Sequence, residues 1–237
     1  STGAQRAVVR TALDSVFGRG DQWSLTGLGT QGNRYLRLGG AVPVGYDGMR
    51  LQVAGSQLDY ELVDAFSALG VEGDVRSAEA SLRYPVLRGT SGNLYLQASI
   101  ARSRYEDRAQ AEVQERRDID AAELVVEADR GDALLGGGVT YGRFALRGGQ
   151  VDFDTASAER RALGAGRFEL ASLSLLRVQN RAGLFAPIAS VRVSFDGQYG
   201  SSNLPSVEEY SLGGPDSVRA YPVSEVSGDD GLTLAIE

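Results

Sequence analysis

Residues 93–101 read Asn-Leu-Tyr-Leu-Gln-Ala-Ser-Ile-Ala, and residues 76–86 read Arg-Ser-Ala-Glu-Ala-Ser-Leu-Arg-Tyr-Pro-Val. In the first stretch Leu94, Leu96, Ala98 and Ile100 alternate with Asn93, Tyr95, Gln97 and Ser99. In the second, Ala78, Ala80, Leu82, Tyr84 and Val86 alternate with Ser77, Glu79, Ser81 and Arg83. Successive side chains of a strand point to opposite faces, so each stretch reads as a strand with one apolar and one polar face.

The same period continues outward in both directions. Leu36, Leu38, Val42 and Val44 share a face in 35–44. Phe185, Ala189, Val191, Val193, Phe195 and Tyr199 do so in 185–199. Gly, Asp and Asn punctuate the segments, as turns between strands require. The pattern predicts strands near 3–13, 21–30, 34–44, 48–60, 74–87, 93–106, 115–129, 133–146, 165–178, 184–199 and 231–237, an all-β antiparallel chain.

Two architectures produce such alternation. A soluble sandwich or barrel buries the apolar face in a core. A membrane barrel turns it to lipid and faces the polar side to a wet lumen. Arg, Glu and Gln well inside long strands fit a hydrated lumen, although a soluble barrel gives the same pattern. The connections add weight to one side. Short links are expected at 45–47, 89–92, 130–132 and 180–183, and longer ones at 61–73, 107–114, 147–164 and 200–230. Short and long then alternate, as in outer-membrane barrels with short periplasmic turns and long outer loops. By the same parity 14–20 is a periplasmic turn. The Arg-Gly-Asp at 130–132 is read as a tight turn and not as an adhesion motif.

Composition narrows the chemistry. The chain has no Cys and no His, so thiol chemistry, imidazole metal sites and His-based triads are excluded. The net charge of −7 argues against nonspecific nucleic-acid binding. All 24 basic residues are Arg, read as a compositional bias of the source. No stretch approaches the roughly 18 apolar residues of a membrane helix, and Ser1–Arg6 has no signal-peptide character. No catalytic residue, cofactor site or metal site is assigned, and neither a small-molecule substrate nor a nucleic-acid partner is expected.

One segment carries more than periodicity. Residues 207–237 contain Tyr210-Ser-Leu-Gly-Gly214, then Ser217-Val-Arg-Ala-Tyr-Pro222, then Glu225-Val-Ser-Gly-Asp-Asp-Gly231, and end on Glu237. This resembles the motif region of two-partner secretion transporters of the TpsB type, the haemolysin and filamentous-haemagglutinin secretion proteins of the BamA-like superfamily. Upstream, Thr2-Gly-Ala-Gln-Arg6, Phe17-Gly-Arg-Gly-Asp21 and Leu82-Arg-Tyr-Pro-Val86 resemble further parts of the family pattern, in the family's order. One position departs from it. Ala220 stands where the family usually has Gly, which implies an ordinary φ or a slightly different hairpin tip.

The resemblance implies a transmembrane β-barrel in the Gram-negative outer membrane, with residues 1–237 forming strands two to twelve of sixteen. The first strand, the last strands and the periplasmic POTRA domains would then lie outside this chain. It implies that 200–230 is an extracellular loop folding back into the lumen. Its motif residues would be Leu212, Gly213, Gly214, Ser217, Val218, Arg219, Ala220, Tyr221 and Pro222. In the family the Arg pairs with an Asp on strand thirteen; Glu237 is the partner candidate within this chain. Leu212 and Tyr221 would pack the hairpin on the wall, Gly213 and Gly214 would permit its sharp turn, and Pro222 would stiffen its exit. Ser227-Gly-Asp-Asp-Gly231 is read as a turn, because it lacks the spaced ligands of a calcium loop.

The implied function is secretion of a large TpsA-type partner protein (an adhesin, haemolysin or toxin) through the outer membrane without ATP. The partners would be that protein and membrane lipid, and the chain would not be an enzyme. A barrel-assembly insertase of the same superfamily and a passive porin are the alternatives. The Glu-Val-Ser-Gly-Asp-Asp-Gly stretch favours the secretion branch, and a porin would lack the Val-Arg-Ala-Tyr hairpin.

Overall fold

The computed structural model describes residues 5–110, 112–157, 166–181, 189–201, 204–214, 221–222 and 225–237; of 64–66, 181 and 189 it describes the backbone alone. Eleven of its strands form one sheet: β1 (Arg6–Asp14), β2 (Gln22–Thr30), β3 (Asn33–Val44), β4 (Met49–Glu61), β5 (Val71–Gly89), β6 (Gly92–Ala109), β7 (Glu112–Asp132), β8 (Gly138–Thr155), β9 (Gly166–Arg181), β10 (Ala189–Gly200) and β13 (Gly231–Ile236). Each pairs with the next in sequence, and β10 pairs with β13. The two remaining strands, β11 (Tyr210–Leu212) and β12 (Val226–Gly228), form a separate small hairpin. Each of the eleven expected strands has a counterpart, although β8 runs over 138–155 where 133–146 was expected, and residues 3–4 and 184–188 of the expected strands lie outside the described residues.

The exposure of the apolar face separates the two architectures. Leu36 and Leu38 are 56% exposed, Ile100 65%, and Leu232, Leu234 and Ile236 63% to 69%. A soluble sandwich would bury these side chains. Exposed apolar area on this scale requires an apolar surrounding, and a bilayer supplies it to alternate residues of a strand. The buried apolar side chains occupy the other face. Phe168 and Leu170 lie on the same side of β9 as Ser172 and Ser174, while Leu173 and Leu175 on the opposite side are exposed. No helix among the described residues is long and apolar enough to cross a membrane.

The strand ends depart from expectation in an informative way. β5 to β8 have 19, 18, 21 and 18 residues, roughly twice the 9–11 that a tilted strand needs to cross a bilayer. The expected long link at 107–114 is therefore largely strand, since β6 runs to Ala109 and β7 starts at Glu112. Apolar alternation stops near Ile100, but cross-strand ion pairs continue the ladder beyond it. Arg104 Nε donates to Asp118 Oδ1 at 2.8 Å, and Arg116 Nε to Glu106 Oε2 at 2.8 Å. Opposite charges facing each other across a ladder stabilise it much as apolar pairs do. The alternation of short and long links consequently holds only in part. Arg130-Gly131-Asp132 closes β7, and the turn itself is 133–137, not 130–132.

The first turn, 15–21, is built on a buried carboxylate. Asp21 is 1% exposed and accepts from the Phe17 N–H at 3.1 Å and from the Trp23 indole at 2.8 Å. The Phe17 and Trp23 rings meet edge to face at 5.9 Å. Burial raises the carboxyl's pKa, but the donors from Phe17 and Trp23 outweigh it and hold the group below the ordinary carboxylate value. A depressed folded pKa contributes stability above the unfolded value, about 3.9, and loses it as pH falls through the folded one. Asp21→Asn should therefore be less stable than wild type at neutral pH, with a gap that narrows on acidification. Trp23 is the chain's single Trp, so its fluorescence reports local unfolding directly. A gap that does not vary between pH 6 and 3 would contradict the assignment.

Candidate functional site

The segment after β10 returns to the sheet and lies on its polar face. On β10 that face carries Ser194, Asp196 and Gln198; on β13 it carries Thr233, Ala235 and Glu237. The register pairs Asp196 with Thr233 and Ser194 with Ala235. The first hold on the segment is at its root. The Ser201 N–H donates to the Glu169 carbonyl at 2.9 Å. The Gly200 N–H donates to Asp230 Oδ1 at 2.8 Å, and the Leu204 N–H to Asp229 Oδ1 at 2.9 Å. The two carboxylates thus tie the outgoing chain to the returning one, and Leu204 is 5% exposed beside them.

Asp229 and Asp230 form the bend between β12 and β13, in agreement with a turn. Both accept backbone N–H groups, and no cluster of three metal-ligating side chains occurs among the described residues.

The second hold is ionic. Arg147 Nη2 on β8 reaches Glu208 Oε1 at 2.8 Å, with the two side chains 24% and 15% exposed. Gln198 Nε2 donates to the Glu208 carbonyl at 2.8 Å and to the Asp229 carbonyl at 3.2 Å. The amide therefore bridges both limbs of the segment. Neither Arg147 nor Gln198 was singled out from the sequence. The available signal was a polar side chain at an inward position of a strand, which many wet-faced strands share.

The third hold is Tyr210. Its hydroxyl donates to the Asp196 carbonyl at 3.3 Å and shares a hydrogen bond with Thr233 Oγ1 at 2.7 Å. The ring lies over Gly231 so closely that a Cβ there would overlap it. Tyr210 starts β11, which pairs with β12 through Tyr210↔Gly228, Ser211↔Ser227 and Leu212↔Val226. The Ser227 hydroxyl also bonds Glu209 across this ladder.

Beyond β11 the chain turns sharply at Gly213 and Gly214, whose φ values are +107° and +98°. L residues with side chains rarely adopt such backbone, and a Cβ on Gly213 would also overlap the Pro222 carbonyl oxygen. The Gly214 N–H donates to the Tyr221 carbonyl at 3.0 Å. Leu212 is half-buried, whereas Tyr221 is 58% exposed and Pro222 is exposed. Ser217, Val218, Arg219 and Ala220 lie outside the described residues. Glu237 ends the β13 side of the sheet, exchanging two backbone hydrogen bonds of 2.9 Å with Arg192. It falls on the same face as Thr233, the face that the hairpin covers.

Comparison with known proteins agrees with this architecture. The family model described as haemolysin secretion/activation protein ShlB/FhaC/HecB matches residues 1–235. No curated protein sequence matches significantly. Among solved structures, CdiB from Escherichia coli is similar at TM-score 0.79 and 20% identity, over 100% of this chain and 45% of that one. CdiB from Acinetobacter baumannii is similar at TM-score 0.71 and 19% identity, over 96% of this chain and 41% of that one. BamA from Haemophilus ducreyi lacking POTRA domains 1–3 follows at TM-score 0.59 and 14% identity, over 95% and 44%. The chain spans less than half the length of these relatives.

Proposed function

Because the chain belongs to the haemolysin secretion/activation protein family ShlB/FhaC/HecB, an outer-membrane β-barrel transporter family of Gram-negative bacteria, we propose that it secretes one large partner protein by two-partner secretion. The partner is a TpsA-type protein carried unfolded through the pore of the complete barrel. Its folding outside the cell supplies direction, so no ATP is consumed and no bond is made or broken. The chain has no enzymatic role in this reading, and it needs no cofactor, nucleic acid or small-molecule substrate.

One observation carries the reading beyond family membership. A separate two-stranded hairpin sits on the polar face of the sheet, tied down by Arg147, Gln198 and Tyr210. In the complete barrel the polar face is the lumen, so residues 200–230 form an outer loop that folds inward and occupies the path of the cargo. Arg219 follows the Gly213–Gly214 turn in sequence, and in this reading it is the tip of the hairpin. A guanidinium there needs an acceptor, because an unpaired buried charge is costly. A carboxylate of the inner wall would hold it bidentately, and Glu237 is on the correct face.

The test is planar-bilayer conductance of the full-length protein, wild type against Arg219→Ala, with a secretion assay for the product of the neighbouring gene. Loss of secretion with altered channel behaviour and normal membrane insertion is the expected result. Unchanged secretion and unchanged conductance would refute the tip lock.

A further inference from the structure

The strands that overshoot the bilayer carry Arg side chains on the lipid-facing side. On β6, Ala98 and Ile100 are followed on the same face by Arg102, Arg104, Glu106 and Arg108. On β5 the order outward is Leu82, Ala80, Ala78, then Arg76, Asp74, Glu72. β4 pairs with β5 at matched heights, Leu51 with Leu82 and Val53 with Ala80, then Gln57 with Arg76 and Asp59 with Asp74. The boundary between apolar and charged rows therefore falls at one level on both strands.

The charged belt is shared between strands. Arg102 Nη2 and Arg104 Nη2 both donate to Asp118 Oδ2, at 2.7 and 2.9 Å, and Asp120 Oδ1 is 3.6 Å from Arg102 Nε. Arg108 and Arg116 both bond Glu106, and Arg108 also stands 3.8 Å from Asp74 and 3.9 Å from Glu72. The two carboxylates that each hold a pair of guanidiniums are mostly covered, whereas Asp120 and Glu72 at the edge of the belt are 52% and 48% exposed. Asp118 and Glu106 are 12% exposed, while Arg102, Arg104 and Arg76 are 61%, 55% and 66% exposed. An Arg has five N–H donors and a carboxylate engages two of them, so the outward edges of these guanidiniums remain free to meet anions.

We infer that this belt, next above the lipid-facing apolar rows on the outer side, binds the phosphate groups of the phosphorylated glycolipid in the outer leaflet. Three facts join here. The belt lies on the lipid-facing side, it begins where the apolar rows end, and its exposed donors are guanidiniums, which engage phosphate bidentately. The inference rests on the outer-membrane fold and not on the secretion reading, so either can fail without the other.

Purified full-length protein in detergent would be titrated with lipid A, dephosphorylated lipid A and phosphatidylglycerol, with bound lipid counted by native mass spectrometry. Lipid A should bind at least tenfold more tightly than the other two. The double change Arg102→Gln, Arg104→Gln should lower lipid A affinity about tenfold, equivalent to about 1.4 kcal/mol. Asp118→Asn, which releases both guanidiniums from their carboxylate, should keep or raise that affinity; this covers the case in which the double variant fails to fold. Equal binding of phosphorylated and dephosphorylated lipid would overturn the proposal. So would equal binding of phosphatidylglycerol, or a loss of affinity in Asp118→Asn.

Discussion

Replacing Glu208 with Gln is expected to loosen the root of the hairpin while leaving the strands around it paired. The pair that it breaks, Arg147–Glu208, spans 2.8 Å with side chains 24% and 15% exposed. Arg147 has little to fall back on, since its Nε is buried and makes no hydrogen bond among the described residues. Removing one partner of a fully buried pair costs about 3–5 kcal/mol, most of it from stranding the other charge. Residual solvent access here lowers the expected figure to about 2 kcal/mol. That corresponds to roughly thirty-fold in the ratio of undocked to docked hairpin. In planar bilayers the full-length variant should show correspondingly more frequent large openings. The reversal Arg147→Glu with Glu208→Arg should recover part of the loss, because the bond from Gln198 to Glu208 goes to the backbone carbonyl and is indifferent to the side chain. Conductance indistinguishable from wild type in Glu208→Gln would show that the pair is ornamental.

This hold at the root is distinct from the one proposed at the tip. Family resemblance points to Arg219 as a lock, and the described residues supply three further holds, on Arg147, Gln198 and Tyr210. With the proposed charge at its tip added to the part-buried polar contacts at its root, the hairpin would release in stages. The tip can leave while Tyr210 keeps the root seated. The cargo path would then open by degrees, and substitutions at root and tip should combine more than additively in conductance, as groups acting on one element do.

How much of this was readable beforehand follows from which residues advertise themselves. Strand existence was legible because period 2 is local; Leu94, Leu96, Ala98 and Ile100 need no partner to be recognised. Strand ends were not. β6 and β7 run past their expected ends through residues 107–109 and 112–114, beside the ion pairs of Glu106 and Arg116, and a mixed run of Arg, Asp and Glu looks like loop until its cross-strand partner is known. Asp21 appeared as part of a turn motif, but its burial against Trp23 depends on how the turn closes. Gly213 and Gly214 were legible as a sharp turn because positive φ has few other tenants. Arg147 and Glu208 were invisible for a different reason. They are 61 residues apart, and each by itself resembles any polar side chain on a wet face. Tyr210 stood inside the quoted motif, yet the pattern drew attention to Tyr221, which is the exposed one of the two.

The largest effect is expected at Gly231. Its neighbours in the sheet are fixed by the β10–β13 register, in which Gln198 pairs with Gly231, so the backbone cannot retreat from an added methyl group. The Tyr210 ring must move instead, and moving it breaks the hydroxyl contacts to Asp196 and Thr233. Overpacking of a fixed contact costs about 1–3 kcal/mol. Two hydrogen bonds add about 1 kcal/mol each, so Gly231→Ala should undock the hairpin in most molecules. Trypsin reads the result directly, because Arg219 is the only Arg, and there is no Lys, between residues 193 and 237. Cleavage at Arg219 should be slow in wild type and fast in Gly231→Ala. Adding Tyr210→Ala should relieve the overlap, so the double variant should be cut more slowly than Gly231→Ala alone. Gly213→Ala offers no such relief, since its overlap is with the Pro222 backbone and its φ is positive. If Gly231→Ala resists trypsin as wild type does, Tyr210 is not what seats the hairpin, and the root is held by Arg147 and Gln198 alone.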